Sequence, residues 1–455
     1  MRTKWDVIVL GGGPAGFTAA LQLQMADKKV CLVEKGMERL GGVCLHEGCM
    51  PTKSLLKTAE IYDQLRHAKD YGLGAWVAPL DIQEAVQRKN IHIQTLNNRI
   101  RQMAIQAGLY IQSGHGKFIS PQVVEVAHGA EHIQLQAAHF VIATGSRPRG
   151  LEMLPVDGKR VCNSTQMLNN TCLPKQLLVV GGGAIGCEFA SMYQAFGAQV
   201  TLLEKAEHLL SREDADTGRT LQTAFERRGI KVFTNSRLQE AEKHPREIVA
   251  QISGATTGAF GFDQVLVSIG RQPNIDELQL ATAQVATNGP FIQVNEYLQT
   301  SQRHIFAAGD VVNTMMLAHT AIQESAVVVA NILKQQKILN SQAVPRVVYS
   351  FPQVAAVGAT EKELPSSSYR KLLLSFAENG KALVDQRQEG HVKLLIDRKS
   401  ECLLGATLVG DQATELIHEL VLAVAQELPL TALQEIVHAH PTLAESIWKL
   451  AKSAA

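Results

Sequence analysis

Two cysteines, Cys44 and Cys49, lie five positions apart in a segment rich in glycine. Residues five apart in a regular helix rise about 7.5 Å along its axis, whereas the Cα atoms of a disulfide usually lie about 4.4–6.8 Å apart. A bond between these cysteines therefore needs a distorted helical turn, which Gly48 permits. Because a strained disulfide is easier to reduce, we interpret the pair as chemically active. Taken alone, two reduced cysteines near a helix start are the simpler interpretation.

The composition restricts the class of protein. The formal net charge is +1, which points away from nucleic acid and acidic membrane surfaces as partners. No apolar run reaches the roughly 18 residues of a membrane span. Seven cysteines are too few and too scattered for a secreted disulfide framework, and no second close pair completes a zinc site. We therefore expect a cytoplasmic protein without a metal, in which a disulfide is transient and catalytic.

A glycine motif near the N-terminus predicts a dinucleotide site. Trp5–Leu10 is typical of a buried parallel strand, and Val30–Val33 predicts a second strand that ends at Glu34. The motif G-x-G-x-x-G and a predicted helix lie between these strands, and the glycines of the motif are Gly11, Gly13 and Gly16. In such a unit the helix N-terminus receives a pyrophosphate, and the acid accepts a hydrogen bond from a ribose hydroxyl.

The same arrangement recurs later in the chain. Gln176–Val180 and Gln199–Leu203 predict strands, and the second ends at Glu204. The glycines of this second motif are Gly181, Gly183 and Gly186. Each acid follows the first glycine of its motif by 23 residues, which is close to the spacing of a ribose partner. Two complete motifs predict two dinucleotides, and a flavin with a nicotinamide is the simplest pair that exchanges electrons.

Other segments predict the elements that connect these sites. The chain from Glu60 to about Ile111 is expected to be mainly helical, with a loop around Gly72 to Pro79. Apolar segments predict strands at Val123–Val126, Ile133–Leu135, His139–Ala143, Gln264–Ile269 and His304–Ala308. From Val344 onward, strands alternate with helices without a glycine motif, which indicates a separate C-terminal domain.

His440 and Glu445 are a second pair of reactive candidates, close to the C-terminus. A histidine with a carboxylate nearby suits a general base and its orienting partner. On spacing alone, surface histidines beside a helix N-terminus are the simpler interpretation.

Together these motifs resemble those of the flavin-dependent pyridine nucleotide–disulfide oxidoreductases, and most closely those of its dihydrolipoamide dehydrogenase branch. The resemblance extends from Asp6–Val9 to His440–Glu445 and is highly specific in Gly41–Lys53. It implies an α/β fold with two Rossmann-like dinucleotide-binding domains and a C-terminal α+β dimerisation domain. The implied domains are 1–149 for FAD binding, 150–274 for NAD binding, 275–343 as a central domain completing the FAD site, and 344–455 as the interface domain.

The resemblance also implies catalytic roles for six residues. These residues are Cys44, Cys49, Lys53, Glu188, His440 and Glu445. By resemblance, Cys44 exchanges with the substrate and Cys49 lies against the flavin. Lys53 lies beside the flavin ring and pairs with Glu188. His440 is the base, and it acts on the disulfide of the other subunit, so the active protein is expected to be a homodimer.

Cofactor-binding positions follow from the resemblance in the same way. Those implied for FAD are Gly11, Gly13, Gly16, Glu34, Lys53, Thr144, Gly145, Asp310, Ala318 and His319. Those implied for NAD are Gly181, Gly183, Gly186 and Glu204, and Gly270 is a further cofactor-binding candidate. Glu204 favours NAD, because its charge repels the 2′-phosphate of NADP. The neighbouring Lys205 would tolerate some NADPH use.

The implied reaction is the oxidation of dihydrolipoamide to lipoamide through a Cys44–Cys49 disulfide and FAD, with NAD as the acceptor. The implied partner is the lipoyl domain of an acyltransferase or a similar lipoyl carrier. The alternatives are another disulfide reductase of the family, of the glutathione, mycothione or mercuric type, and a non-catalytic dinucleotide-binding protein. A mercuric type is disfavoured because no cysteine pair lies near the C-terminus. The intact cysteines and histidine argue against the non-catalytic protein.

Overall fold

The computed structural model describes residues 3–74 and 79–454. The chain divides into two compact units, each built from discontinuous segments. The first comprises Met1–Leu55, Glu84–Arg149 and Arg271–Leu339, and the second comprises Leu56–Gln83, Gly150–Gly270 and Asn340–Ala455. Of the loop expected around Gly72 to Pro79, residues 75–78 lie outside the described residues. Among the described residues, no helix combines the length and hydropathy that a membrane crossing requires.

A seven-stranded sheet forms the centre of the first unit. Its strands follow the spatial order Tyr110–Ser113, Val30–Glu34, Thr3–Leu10, Glu131–Ile142, Val123–His128 and His115–Ser120, with Ile305–Ala307 beside the end of the fourth. The first four strands are parallel, and the next two continue the sheet as an antiparallel meander. Shorter antiparallel pairs join Ser146–Pro148 to Arg271–Pro273 and Thr287–Asn288 to Phe291–Ile292.

Both faces of this sheet are covered, which explains why its strand Thr3–Leu10 is apolar at every position from Val7 onward. Val7 and Val9 pack with the helices Pro14–Met25 and Ala318–Ile332. Ile8 and Leu10 belong to a separate cluster on the opposite face. Between Glu34 and Tyr110 the helical segments are Met37–Arg39, Gly42–His46, Cys49–Arg66, Ala68–Tyr71 and Ile82–Gln106.

A five-stranded parallel sheet in the second unit repeats the βαβ arrangement. Its strands follow the order Lys231–Phe233, Gln199–Leu203, Gln176–Val180, Gln264–Val267 and Val161–Cys162. Its helices are Ser164–Met167, Ala184–Ala195 and Ala215–Arg227. A three-stranded antiparallel sheet is formed by Ser236–Lys243, Ile248–Gly254 and Gly258–Phe262.

The C-terminal part of the second unit is built on a five-stranded antiparallel sheet. The strand order is Arg346–Val348, Gln353–Gly358, Leu403–Gly410, His391–Asp397 and Tyr369–Ser375. The helical segments are Glu361–Glu363, Phe376–Glu378, Gly380–Val384, Ala413–Ala425, Leu430–Glu435 and Glu445–Lys452. Leu394 and Leu408 of the sheet pack with Ile417 and Leu420 of a helix in one core.

Most of the expected elements are confirmed. Gln176–Val180 and Gln199–Leu203 have the predicted bounds. The expectation of helix up to Ile111 is wrong at its end, because Tyr110–Ser113 pairs with Val30–Glu34 at the edge of the sheet. The two strands expected between 133 and 143 form a single long strand. The limits of the four expected domains stay a prediction.

Candidate active site

The first glycine motif forms a tight turn between a strand and a helix. Gly11 has a φ of +101°, and a Cβ atom there would lie 2.3 Å from the carbonyl oxygen of Ala143. A Cβ on Gly16 would lie 1.8 Å from the oxygen of Gly11. Gly13 is less crowded, because the nearest atom to a Cβ there is 3.9 Å away. This first turn therefore offers a helix N-terminus and room for a pyrophosphate.

The second glycine motif repeats this geometry in the second unit. Gly181 has a φ of +109°, and its Cβ would lie 2.5 Å from the oxygen of Ser268. A Cβ on Gly186 would lie 1.8 Å from the oxygen of Gly181, while Gly183 has nothing within 4 Å. Each unit thus carries its own glycine turn suited to a dinucleotide. We call the turn at residues 11–16 the first dinucleotide cradle and the turn at residues 181–186 the second.

Backbone amides orient both predicted ribose acids. Glu34 accepts a hydrogen bond from the N–H of Gly12 at 2.6 Å, and Glu204 accepts one from the N–H of Gly182 at 2.6 Å. The second oxygen of each carboxylate accepts another backbone N–H at 2.7 Å. Both acids therefore lie next to the glycine turn of their own unit, where a bound ribose would meet them.

The turn that leads to the cysteines packs directly on the first glycine turn. The N–H of Gly41 donates to the carbonyl of Gly12 at 2.8 Å. Gly42 has a φ of +57°, and a Cβ there would lie 2.7 Å from the Cα of Gly13. Only glycine allows these two backbones to approach so closely. Cys44, two residues further on, is therefore held next to the first dinucleotide cradle.

The two cysteines lie on consecutive helices. Cys44 belongs to Gly42–His46, and Cys49 begins Cys49–Arg66. The chain leaves helical geometry at Glu47 and Gly48 between these helices, which is the kind of distortion that a bond between the two cysteines needs. The two cysteines are thiols and not a disulfide, and both are half-buried. A hydrogen bond with Cys49, reinforced by burial, raises the pKa of Cys44 well above that of an ordinary thiol, while the charge of Lys53 opposes this. In the reduced pair, Cys44 therefore keeps its proton.

Asp310 belongs to a half-buried polar network whose other members were not identified from the sequence. The hydroxyl of Ser146 donates to its carboxylate, and Arg271 Nε donates to the same hydroxyl at 2.7 Å. Arg271 Nε also lies 3.8 Å from Asp310 Oδ2. Burial lowers the pKa of Arg271, and the charges of Asp310, Glu47 and Cys49 counteract it. Arg271 directly follows Gly270 in the chain, which was the available sequence signal.

The predicted Thr144–Gly145 turn is held by a neighbouring segment. Thr144 Oγ1 donates to the carbonyl of Asn274 at 2.7 Å, and the Asn274 N–H donates to the carbonyl of Gly145 at 2.8 Å. Gly145 has a φ of +69° and nothing within 4 Å of an added Cβ, as also holds for Gly270. At each of these two glycines there is therefore open space beside the backbone, where a side chain would otherwise lie.

Glu324 is a buried carboxylate that was also not identified from the sequence. It is 0% exposed on the helix Ala318–Ile332, which the predicted residues Ala318 and His319 open. Its oxygens accept from the N–H of Gly309 at 2.5 Å and from the hydroxyl of Thr314 at 2.6 Å. Burial raises its pKa to about 7. Glu324 thus fixes the chain on both sides of Asp310.

His440 and Glu445 form a pair in the second unit. His440 Nδ1 lies 2.9 Å from Glu445 Oε1, and the other carboxylate oxygen accepts the N–H of Thr442 at 2.9 Å. The hydrogen bond to His440 lowers the pKa of Glu445. The His440 side chain is 82% exposed, which leaves Nε2 free to meet a substrate. His438 makes a separate pair with Glu419 at 3.1 Å.

Other predicted contacts stay predictions. Glu188 is buried on the helix Ala184–Ala195, where its Oε1 accepts the N–H of Tyr349 at 3.0 Å. Its expected pairing with Lys53, and the expected approach of His440 to the cysteines of a second subunit, are carried by the resemblance alone.

Comparisons with known proteins identify the family. The family model described as pyridine nucleotide-disulphide oxidoreductase matches residues 5–325, and its dimerisation domain matches residues 344–451. A dihydrolipoyl dehydrogenase of Bacillus subtilis is 34% identical, with 100% of this chain and 98% of that protein covered. A dihydrolipoyl dehydrogenase of Chlorobaculum parvum is 36% identical, with 99% and 97% covered.

Solved structures agree with this result. The HOCl-induced flavoprotein disulfide reductase RclA of Escherichia coli, in a Cu(II) complex, has a TM-score of 0.90 and 26% identity, with both chains fully covered. LpdA of Mycobacterium tuberculosis has a TM-score of 0.91 at 24% identity over the whole of both chains, and shares the fold. The predicted α/β class with a C-terminal dimerisation domain is confirmed, and the chain belongs to the pyridine nucleotide-disulphide oxidoreductase family.

Proposed function

We propose that the chain is a dihydrolipoyl dehydrogenase that uses FAD and NAD. The observation that carries this proposal is the thiol pair Cys44–Cys49, hydrogen-bonded and half-buried on a turn that packs against a dinucleotide cradle. The substrate follows from the relatives named dihydrolipoyl dehydrogenase, which match over nearly their whole length.

Both cradles fit a dinucleotide. Each lacks space for a Cβ at the first and last glycine, each leaves its middle glycine less crowded, and each holds its acid on a backbone amide. The first would hold FAD, since it lies beside the cysteines, and the second would hold NAD. When bound, the flavin accepts an electron pair from the dithiol and delivers it to the nicotinamide as a hydride.

His440 supplies the base for the thiol chemistry. Its Nε2 takes a proton from a substrate thiol, while Glu445 stays ionised and stabilises the imidazolium. The substrate thiolate attacks the Cys44 sulfur, the Cys44–Cys49 bond breaks, and Cys49 leaves as a thiolate. The second substrate thiol then attacks the substrate sulfur of the mixed disulfide and gives its proton to the departing Cys44 sulfur. This attack closes the substrate disulfide and releases Cys44 with the electron pair of the broken bond.

The raised pKa of Cys44 opposes the reverse of this step, in which Cys44 would attack the product disulfide. Because the pKa of Cys44 is well above that of an ordinary thiol in the reduced pair, the released sulfur keeps the proton of the second substrate thiol, while His440 retains the proton of the first. Cys49 is left as the thiolate of the pair. Cys44 therefore cannot easily attack the product disulfide again without a base.

Glu204 would make NAD the preferred nucleotide. Its carboxylate is 9% exposed and already oriented by two backbone amides. A 2′-phosphate would bring negative charge against this carboxylate, whereas a 2′-hydroxyl would donate to it.

The dimerisation domain supports a homodimer. We propose that the partner that supplies the dithiol is a lipoyl domain of an acyltransferase or a similar lipoyl carrier. A cytoplasmic location suits a cysteine pair that must cycle between disulfide and dithiol.

A steady-state comparison of electron donors and acceptors tests the function. The flavin-loaded protein is assayed with dihydrolipoamide and NAD+ or NADP+, and in reverse with lipoamide, glutathione disulfide or mercuric ion. We expect kcat/KM to be greatest for dihydrolipoamide with NAD+. Preference for NADPH, or for glutathione disulfide or mercuric ion, would contradict the proposal.

A second candidate is a disulfide reductase that does not act on a lipoyl group. The match to RclA along the whole chain favours this candidate. It predicts NADH-dependent reduction of an aromatic model disulfide without turnover of dihydrolipoamide, so adding this disulfide to the assay above separates the two functions.

A further inference from the structure

A fully buried lysine lies among three carboxylates in the second unit. Lys393 is 0% exposed, and its Nζ donates to Asp214 at 2.7 Å, Asp216 at 2.6 Å and Glu361 at 2.9 Å. Lys371, on the neighbouring strand, donates to Asp216 and Glu361 at 2.8 Å each. The three acids come close enough together to suggest a cation site, and the Lys393 ammonium occupies that position.

Two further cations of this region bind the residues that come just before Asp214 in the chain. Arg346 forms a forked ion pair with Glu213, at 2.8 and 2.9 Å. Lys362 Nζ donates to the carbonyls of Ser211 at 3.0 Å and Arg212 at 2.9 Å. We call Ser211–Asp216 the anchored segment. Cations from the C-terminal sheet region hold it at nearly every residue.

The anchored segment continues directly from the second dinucleotide cradle. It ends the loop that follows Glu204, and in this loop the N–H of Leu210 donates to the carbonyl of Gly182 at 2.9 Å. Leu209 Cδ2 would lie 2.7 Å from a Cβ on Gly182, so this side chain packs on the glycine turn itself. Asp214 is the residue that precedes the helix Ala215–Arg227. A shift of the segment would therefore be transmitted to the cradle.

We propose that Lys393, together with Lys371 and Arg346, is a positioning residue of the nicotinamide dinucleotide site. These cations fix the anchored segment, and through Leu209 and Leu210 they keep Gly182 and Glu204 in the geometry that binds NAD. Without Lys393, the three carboxylates would have only the ammonium of Lys371 as a counter-charge. Their mutual repulsion would then move them apart. This inference rests on the proposed use of the second cradle for NAD.

The test measures NAD+ binding to the oxidised holoenzyme by calorimetry, since no lipoyl substrate is then needed. We expect Lys393→Met to raise the Kd at least about 10-fold, equivalent to about 1.4 kcal/mol. Arg346→Lys keeps the positive charge but cannot form the two parallel hydrogen bonds to Glu213. Lys371→Gln removes one positive charge. We expect each to raise the Kd roughly 3-fold, while Lys371→Arg retains the wild-type value.

Arg370→Gln is the matched control, because Arg370 lies beside Lys371 on the same strand but pairs with Glu401. We expect its Kd to stay within about 2-fold of wild type, a factor worth less than about 0.5 kcal/mol. Flavin content should be unchanged in all variants. The inference is overturned if the variants at Lys393, Lys371 and Arg346 melt at lower temperature but bind NAD+ as wild type does. If Lys393→Met does not fold, the Arg346 and Lys371 variants decide.

Failure of the proposed function is distinguishable from failure of this inference. Wild-type protein that binds NAD+ but does not oxidise dihydrolipoamide refutes the function and leaves the binding test intact. Wild-type protein that does not bind NAD+ refutes both.

Discussion

Replacement of Glu324 by glutamine should change the pH dependence of stability in the first unit. Glu324 is buried and accepts hydrogen bonds from Gly309 and Thr314. Glutamine has the same size, and its carbonyl can accept from Gly309 while its amide donates to the Thr314 hydroxyl. The variant therefore resembles the protonated form of Glu324 at every pH.

The magnitude follows from the pKa of Glu324, which burial raises from 4.5 to about 7. The folded protein holds this proton more tightly than the unfolded chain, so the free energy of unfolding falls as pH rises from about 4.5 to about 7. A change of 1 in pKa is worth about 1.4 kcal/mol, so the whole fall is about 3 kcal/mol. Glu324→Gln lacks this loss, and its stability relative to wild type should rise by this amount.

Thermal melting of the flavin-loaded protein at pH 5 and pH 8 measures the difference. For a unit of this size, about 3 kcal/mol corresponds to roughly 6–12 °C in Tm. We expect Tm of Glu324→Gln relative to wild type to be higher at pH 8 than at pH 5 by an amount of this order. Glu296→Gln removes an exposed carboxylate of the same unit and should show no such change. A difference in Tm between Glu324→Gln and wild type that is equal at both pH values would show that Glu324 does not titrate with a raised pKa.

Three further predictions concern the proposed chemistry. Cys44→Ser should retain FAD but lose dihydrolipoamide oxidation, because no sulfur remains for the substrate to attack; measurable lipoamide turnover in this variant would contradict the role. Glu204→Ala should raise the KM for NADH about 10-fold, because it removes the acceptor of the ribose hydroxyl. It should also reduce the preference for NADH over NADPH, because it removes the charge that repels the 2′-phosphate. An unchanged NADH/NADPH ratio of kcat/KM would count against this role of Glu204. Glu445→Gln should lower kcat for dihydrolipoamide about 10- to 100-fold with normal flavin content, because the imidazolium of His440 loses its counter-charge; normal kcat would remove Glu445 from the mechanism.

Local patterns in the sequence predicted the parts of the molecule that depend on local geometry. The glycine turns at Gly11 and Gly181 were found because a strand, a turn and a helix follow one another within a few residues. The acids Glu34 and Glu204 were found because a βαβ unit has a fixed length. The irregular turn at Gly48 followed from the spacing of the two cysteines.

Contacts between distant segments could not be read in the same way. Ser146 and Arg271 meet across 125 residues, and Lys393 meets Asp214 across 179 residues, so no periodicity links them. Glu324 lies between Gln323 and Ser325 in its helix, and only the fold shows what its carboxylate binds. The prediction of helix as far as about Ile111 is wrong because the strand Tyr110–Ser113 owes its conformation to pairing at the edge of the sheet.

In the proposed mechanism, Cys44 and Cys49 receive the substrate electrons as a pair. Counting protein thiols after anaerobic mixing with a single equivalent of dihydrolipoamide tests it most directly. We expect the oxidised wild-type protein to gain a pair of thiols per chain and Cys44→Ser to gain none. NAD+ should then remove the new thiols while one equivalent of NADH forms. A wild-type protein that gains no thiols, or a Cys44→Ser variant that gains as many, would show that the two cysteines do not receive these electrons.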